Sequence, residues 1–434
     1  MSGLGLPVLS IIAAQDRLVK EISLNEAINL ALEYNLNLRK NRIDIAASGY
    51  SESKLWAEIF PNITASASVG NRSPLFSGDR FGFNENTRNY NVGFGINLGL
   101  NAGIPYVMRS IRLAHQGNIL RYEDARNQLS IQVTKKYYSL VAEKKNLLLL
   151  EEVLTLTQRQ YERNQVLFRN GFVRELTVLQ SRLAYENARF NLSAASISNT
   201  NSISEFLAMI GMEQNITVTL LDDVNIVRVS ANSEELIRNY LPGRPDIVRS
   251  LQEIERLENA ERQTLMQVRA PSLDLSVNWN TSRFSPFTDT LSGSATLRIP
   301  IDPYIQGTSR NQTINRAGDS VEKAKLDLAI AENSARTQIR SLTAFLHNSW
   351  DSILIARLGY EAAQHNYQLT EQAFNNGTIE SLVLEDARNN MASARQRLFQ
   401  NELSYFNMIL DLSAAVNVDW NYLIQTYGVT SEEI

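Results

Sequence analysis

The chain has 434 residues, 44% apolar and 20% charged, with a net charge of −4: this composition folds, is too long for one ordinary core, and offers no basic face of the kind nucleic acid requires. The absence of cysteine excludes thiol catalysis, cysteine-based zinc and iron–sulfur sites, disulfides and a lipidated N-terminal Cys, and it fits an oxidising compartment. No run approaches 18 consecutive apolar residues, so no helix is expected to span a bilayer.

Residues 1–23 form an N-terminal arm or a signal remnant. Gly3 to Ala14 look like the apolar end of a secretory signal, but no Lys or Arg precedes Arg17, where such a signal carries positive charge. A trimmed signal and a plain apolar arm both fit. The first structural repeat is expected over 24–212. It opens with a shorter helix within 24–59 and continues into a strand pair at 61–70 and 90–100. Ile63, Ala65, Ala67 and Val69 alternate with Thr64, Ser66 and Ser68. Tyr90, Val92, Phe94, Ile96, Leu98 and Leu100 alternate with Asn91, Gly93, Gly95, Asn97 and Gly99. A period of two marks strands with one apolar and one polar face. Their lengths approach the roughly ten residues that cross a membrane in a barrel, apolar side to lipid and polar side to water. The stretch 70–89, rich in Gly, Ser, Asn and Phe, is expected to be an exposed loop.

Past Pro105 the chain has no proline until Pro242, and none after Pro303. Proline lacks the amide hydrogen and clashes with the preceding turn, so its absence permits two very long helical tracts. In the first, Val133, Leu140, Leu147, Leu154, Tyr161 and Phe168 recur every seven residues, the seam of helices packed with left-handed supercoiling. A helix from about 105 to 169 would run roughly 100 Å at 1.5 Å per residue, too long for any compact domain. Asn170-Gly171-Phe172 then supplies a turn. The returning helix carries Val178, Tyr185 and Leu192, which completes a helical hairpin with its tip at 170–172.

Residues 213–243 form a linker or equatorial segment, with a strand near Ile216–Leu221 and a break at Leu241-Pro242-Gly243-Arg244-Pro245-Asp246. The second repeat spans 244–417. It has a helix over 245–269, strands at 271–280 and 291–301, and a loop over 280–291. Leu273, Leu275, Val277 and Trp279 form one alternating set; Ala295, Leu297, Ile299 and Ile301 form the other. Ile339, Leu346, Ile353, Tyr360, Tyr367 and Phe374 repeat the heptad, Asn376-Gly377-Thr378 the turn, and Leu384, Met391, Leu398, Tyr405 and Leu412 the returning stripe. The copies lie 206 residues apart, as Phe374 is from Phe168, Gly377 from Gly171 and Arg388 from Arg182. Residues 418–434 are left as a C-terminal tail.

No chemistry-bearing constellation accompanies this architecture. His115, His347 and His365 have no partner at metal-ligand spacing, and no HExxH, GxSxG or GxxxxGK[ST] occurs. The glycines of Gly93-Phe-Gly95-Ile-Asn-Leu-Gly99 are spaced wrongly for a dinucleotide and sit within a strand. No catalytic residue, metal site or cofactor is expected. The many carboxylates read as solvated faces of amphipathic helices.

The repeated order of helix, strand pair, long helix, Gly turn and returning helix resembles the TolC family of outer-membrane efflux proteins, over nearly the whole chain. Further cues are Leu24-Asn25-Glu26-Ala27-Ile28 with Ala31 and Leu32, and Arg244-Pro245-Asp246-Ile247 at the start of the second copy. Each strand pair opens at a proline, Phe60-Pro61 or Ala270-Pro271. After each Gly turn come Val178-Leu179, or Val383-Leu384 with Glu385-Asp386-Ala387. The resemblance implies a fold that mixes all-α structure with a membrane β-barrel: a homotrimer giving four strands per protomer to a twelve-stranded barrel, continued by a long periplasmic α-helical barrel. It implies a duct in the outer membrane of a Gram-negative-type envelope, with a large periplasmic portion. Such a duct conducts passively in tripartite efflux or type I secretion, with a periplasmic adaptor (membrane fusion) protein and an inner-membrane pump of RND, MFS or ABC type.

The site residues expected on this basis fall into three groups. Asp386 and its neighbour Glu385 would constrict the pore, although the family's other acidic position, three residues earlier, is Val383 here. The turns Asn170, Gly171, Phe172 and Arg174, with Asn376, Gly377, Thr378 and Glu380, would dock the adaptor. Tyr90, Val92, Phe94, Ile96, Leu98, Leu275, Val277, Trp279, Leu297 and Ile299 would face lipid. A soluble periplasmic coiled-coil scaffold, its strands forming a small capping sheet, is the competing expectation. An envelope enzyme is disfavoured because no cluster of catalytic residue types occurs.

Overall fold

The computed structural model describes residues 19–71, 88–214, 216–222, 226–284 and 287–429. The arm over 1–18 and most of the expected 70–89 loop lie outside the described residues. In chain order the elements are β1 (Val19–Ile22), α1 (Leu24–Tyr34), α2 (Leu36–Ser53), β2 (Asn62–Asn71), β3 (Arg88–Asn101), α3 (Ile104–Arg169), α4 (Glu175–Met209), β4 (Thr217–Leu220) and β5 (Arg228–Val229). They continue with α5 (Ser233–Tyr240), α6 (Pro245–Arg269), β6 (Ser272–Phe284), β7 (Phe287–Arg298), α7 (Ser309–Asn375), α8 (Ser381–Val416), α9 (Trp420–Tyr427) and β8 (Gly428–Val429).

These elements form two compact units that do not coincide with the two repeats. Among the described residues, one gathers those up to Lys40, Glu123–Leu241 and those from Ala335 on; the other takes those within Asn41–Tyr122 and Pro242–Ser334. Each unit therefore draws matching parts from both repeats.

The second unit holds one antiparallel sheet in the order β2-β3-β6-β7. Its register sorts the side chains by face. One face carries the rungs Ala65–Phe94–Trp279–Leu291, Ile63–Ile96–Val277–Gly293 and Leu98–Leu275–Ala295. The other carries Ser66–Gly93–Asn280–Thr290, Thr64–Gly95–Asn278–Ser292 and Asn62–Asn97–Ser276–Ser294. On the polar face Gly93 and Gly95 of β3 lie beneath two side-chain amides of β6. A Cβ at Gly93 would come within 2.2 Å of Asn280 Oδ1, and one at Gly95 within 2.7 Å of Asn278 Oδ1, because these amides fold over the glycine backbone.

The strands depart from the expected limits in the second repeat. The 280–291 stretch is mostly strand: β6 reaches Phe284 and β7 starts at Phe287, with Thr281 paired to Asp289 and Phe284 to Phe287 across a register shift. That irregularity breaks the alternation which would have marked the strand in sequence. At the other end β7 stops at Arg298, so Ile299 and Ile301 are exposed but outside the sheet. Pro300 explains the stop, since it offers no amide to a ladder. The single helix expected within 24–59 is α1, α2 and a 3-10 turn at Leu55–Ile59. The break is at Asn35, whose Oδ1 accepts from the amides of Asn37 and Leu38 and so caps α2.

The first unit has the deeper core. Tyr137, Phe206, Leu236, Ile339, Leu346, Tyr405 and Leu412 are fully buried. β1 pairs in parallel with β4, and β5 pairs with β8. The residues 418–434 are accordingly no simple tail as far as Val429: Asp419 caps α9, and Leu423 is wholly buried. Two buried tyrosines tie these short strands to the long helices. The Tyr137 hydroxyl lies 3.0 Å from both Ile22 O and Asp222 Oδ2 and accepts from the amides of Leu221 and Asp222. The Tyr405 hydroxyl accepts from Val229 N at 2.7 Å and donates to Val227 O.

Candidate channel wall, constriction and docking turns

The wall follows from the sheet. Its strands are 10, 14, 13 and 12 residues long, enough to cross a hydrocarbon layer when tilted. Of the expected lipid-facing residues, Tyr90, Phe94, Ile96, Leu275, Val277 and Leu297 are exposed, while Val92, Leu98 and Trp279 are half-buried. Phe94 and Trp279 touch across β3 and β6 with ring centroids 5.8 Å apart. A sheet with a free apolar face, a polar face and its outer strands β2 and β7 each paired on one side only cannot satisfy its backbone in lipid until those edges meet others.

The turns are alike in both hairpins. Gly171 and Gly377 take φ of 76° and 74°, in the left-handed region. Gly171 N donates to Phe168 O and Phe172 N to Leu167 O; Gly377 N donates to Phe374 O and Thr378 N to Ala373 O. This paired bonding satisfies the last carbonyls of α3 and α7, and glycine is needed because a Cβ in that backbone region is strained. Asn170, Phe172, Arg174, Asn376, Thr378 and Glu380 are all exposed. Arg174 and Glu380 sit at the N-caps of α4 and α8 without a side-chain capping bond.

At the expected constriction the two acids part company. Asp386 is exposed, whereas Glu385 is half-buried and lines a small cavity with Thr157, Gln160, Ser181, Ala184, Leu384 and Arg388. Adjacent helical positions point about 100° apart, which accords with the different burial of the two side chains. Burial pushes the Glu385 carboxyl up and the nearby Asp386 charge adds to this, against the pull of Arg388. Arg388 itself is 5% exposed, and burial holds its guanidinium below its ordinary value despite Glu385 and Tyr367. Tyr367 donates to Glu371 Oε1 at 3.0 Å; burial and that carboxylate raise its hydroxyl to about 12. Its first-repeat counterpart Tyr161 accepts instead from Gln165 Nε2, at 2.6 Å.

Sequence reasoning missed the buried Arg388 and the half-buried Glu385 that line one cavity. The signal was the break in the duplication, since the counterparts of Glu385 and Asp386 are the uncharged Leu179 and Gln180, and that of Arg388, Arg182, is exposed. Asp222, which anchors Leu24 N at 2.7 Å as well as Tyr137, lay in the linker and carried no pattern.

The fold combines two long helical hairpins with a four-stranded antiparallel sheet whose strands are long enough for a membrane. The chain belongs to the outer membrane efflux protein family, whose pattern matches residues 27–211 and 236–418. Over 414 residues it is 25% identical to the probable efflux pump outer membrane protein TtgC of Pseudomonas putida, covering 92% of this chain and 83% of that one. The antibiotic efflux pump outer membrane protein ArpC of Pseudomonas putida matches to the same extent. Among solved structures it is similar to the Campylobacter jejuni CmeC outer membrane channel, with a TM-score of 0.74 at 17% identity, covering 93% of this chain and 88% of that one. It is also similar to the Neisseria gonorrhoeae MtrE outer membrane channel in its open state, with a TM-score of 0.70 at 17% identity and coverage of 91% and 89%. Family membership sets aside the soluble scaffold.

Proposed function

We propose that three copies of this chain form a passive duct through the outer membrane, twelve strands closing one barrel and the helices of all three copies walling a tunnel in the periplasm. The observation that carries this is the four-stranded sheet, apolar on one face, polar on the other and open at β2 and β7. Three such sheets joined edge to edge leave no unpaired strand in lipid, and the Asn, Ser, Thr and Gly rungs then line a wet interior. The duplication gives six helical hairpins on a three-fold assembly. The duct does no chemistry. An inner-membrane pump of RND, MFS or ABC type drives solutes, or proteins in type I secretion, and a periplasmic adaptor joins pump to duct.

Within this duct the exposed Asp386 forms a ring of three carboxylates that favours cations, with Glu385 holding the helix packing behind it. The turns at 170–172 and 376–378 meet the adaptor, flanked by the exposed Arg174 and Glu380. The test of the assembly is mass in detergent. A folded trimer with protease-protected strands is expected; a folded monomer or dimer sinks the reading. The docking role is tested by reversing Arg174 and Glu380 together while leaving both glycines alone. Loss of export and of adaptor cross-linking with the trimer intact supports it, and normal export rejects it.

A further inference from the structure

Two exposed apolar stripes remain on the long helices after the hairpins have packed. On α4, Leu176, Leu179, Leu183, Phe190 and Ile197 are 53% to 72% exposed. They follow the three-and-four spacing of a coiled-coil seam. They also lie two positions before the inner stripe Val178, Tyr185 and Leu192, which puts them about 160° away around the helix at 100° per residue. On α7, Ile355, Leu358 and Leu369 are exposed over the same range, and Ala362 and His365 are exposed between them. This stripe lies two positions after the inner one, Ile353, Tyr360 and Tyr367. The inner stripes already have their partners: Tyr185 stacks on Tyr161 of α3 at 6.0 Å, and Ile353 is 1% exposed.

The two stripes fit one another. α4 runs away from its turn and α7 runs toward its own, so the helices are antiparallel. The turns stand at one level to within about a helical turn, because Ser181 and Ala184 of α4 share a cavity with Leu384, Glu385 and Arg388 of α8. Within that helical turn, one register matches the stripes member for member at their common spacing of seven: Leu183 opposite Leu369, Phe190 opposite Ala362 and Ile197 opposite Ile355. Phe190, the largest side chain of one stripe, meets the smallest of the other. The acid in the α4 seam, Glu186, falls opposite the histidine in the α7 seam, His365.

We infer that α4 of one copy packs antiparallel on α7 of the next in this register, with Glu186 and His365 as the polar pair that sets it. The occupant of each stripe is a second copy of this chain, since the complementary stripe is its own and the sheet edges β2 and β7 call for the same neighbour. The inference rests on the proposed trimer and adds the residues that specify it. A stripe of large apolar side chains facing water over six turns is unfavourable unless covered, and a single polar pair in an apolar seam is a known means of fixing register.

The absence of cysteine makes the test direct. The full chain carrying Phe190→Cys and Ala362→Cys, oxidised in detergent, is expected to run as covalent dimers and trimers on a denaturing gel. The off-register pair Phe190→Cys with Leu369→Cys, one heptad away, is expected to stay monomeric. Detergent mass is measured on the same samples before denaturation. A trimer by mass whose in-register pair gives only monomer bands overturns the seam and leaves the trimer standing; a folded monomer by mass overturns both. A second readout guards against cysteine-induced repacking. Glu186→Lys is expected to lower the temperature at which the trimer dissociates, and Glu186→Lys with His365→Glu to restore it; no restoration counts against the pairing.

Discussion

At the scale of single residues, the hydroxyl of Tyr137 holds more than its burial suggests. It satisfies the amides of Leu221 and Asp222 and reaches Ile22 O and Asp222 Oδ2. Tyr137→Phe keeps the ring but leaves buried polar groups unpaired, so a loss of about 1–3 kcal/mol is expected. Hydrogen exchange should show it as faster exchange confined to β1 and β4. Glu385 gives a pH signature. Its carboxyl is raised in the folded chain, mainly by burial, so the folded state holds the proton more tightly than the unfolded state does. Its contribution therefore falls as pH climbs from the ordinary carboxyl range through the raised value, and is constant above it. Thermal unfolding across that window should show this decline in the parent chain and a flatter profile in Glu385→Gln. The role of neither residue was legible in sequence. Tyr137 falls at the three-and-four spacing between Val133 and Leu140, which marks burial but not the distant groups its hydroxyl meets, and Glu385 was expected at the constriction beside Asp386 with no sign of its burial.

At the scale of elements, legibility followed the period of the pattern. α3 was expected at about 105–169 and spans Ile104–Arg169, and α6 matches its expected 245–269. Many apolar repeats add to a clear signal there, and proline or glycine marks the ends. β1, β5 and β8 have four, two and two residues, too few to show any period, and long-range hydroxyls from Tyr137 and Tyr405 hold β1 and β5. The strands of the large sheet stood between these extremes, clear where side chains alternate and lost where β6 shifts register. The sorted faces of that sheet make a paired prediction. Phe94→Arg places a charge on the apolar face and is expected to cost about 2–4 kcal/mol if it sits near the bilayer midplane. Asn278→Arg, on the polar face of the next strand, should change folding little. Refolding yield into phospholipid vesicles checks both; equal loss would show that the faces are not divided between lipid and water.

At the scale of the whole molecule, the duplication was visible in sequence while the two compact units were not. Each unit is assembled from segments of both repeats, and no linear pattern marks where contacts change hands within α3 and α7. The broken equivalence of Asp386 and Gln180 matters at this scale. A ring of three carboxylates acts through its field on passing ions, and salt screens that field over about 8 Å at physiological strength. Asp386→Asn is expected to weaken cation preference in planar bilayers, most clearly at low salt; unchanged selectivity would remove the ring from the account.

The two open edges of the sheet have a genetic consequence. In the proposed trimer a chain supplies only a third of a closed wall and cannot fail alone. If sound copies and copies with a damaged β7 edge were made in equal amounts and joined at random in threes, about one assembly in eight would contain only sound chains. Damage confined to an edge would therefore behave as dominant over the intact allele. A lesion that stops a copy from folding at all would stay recessive, because that copy would never reach the others.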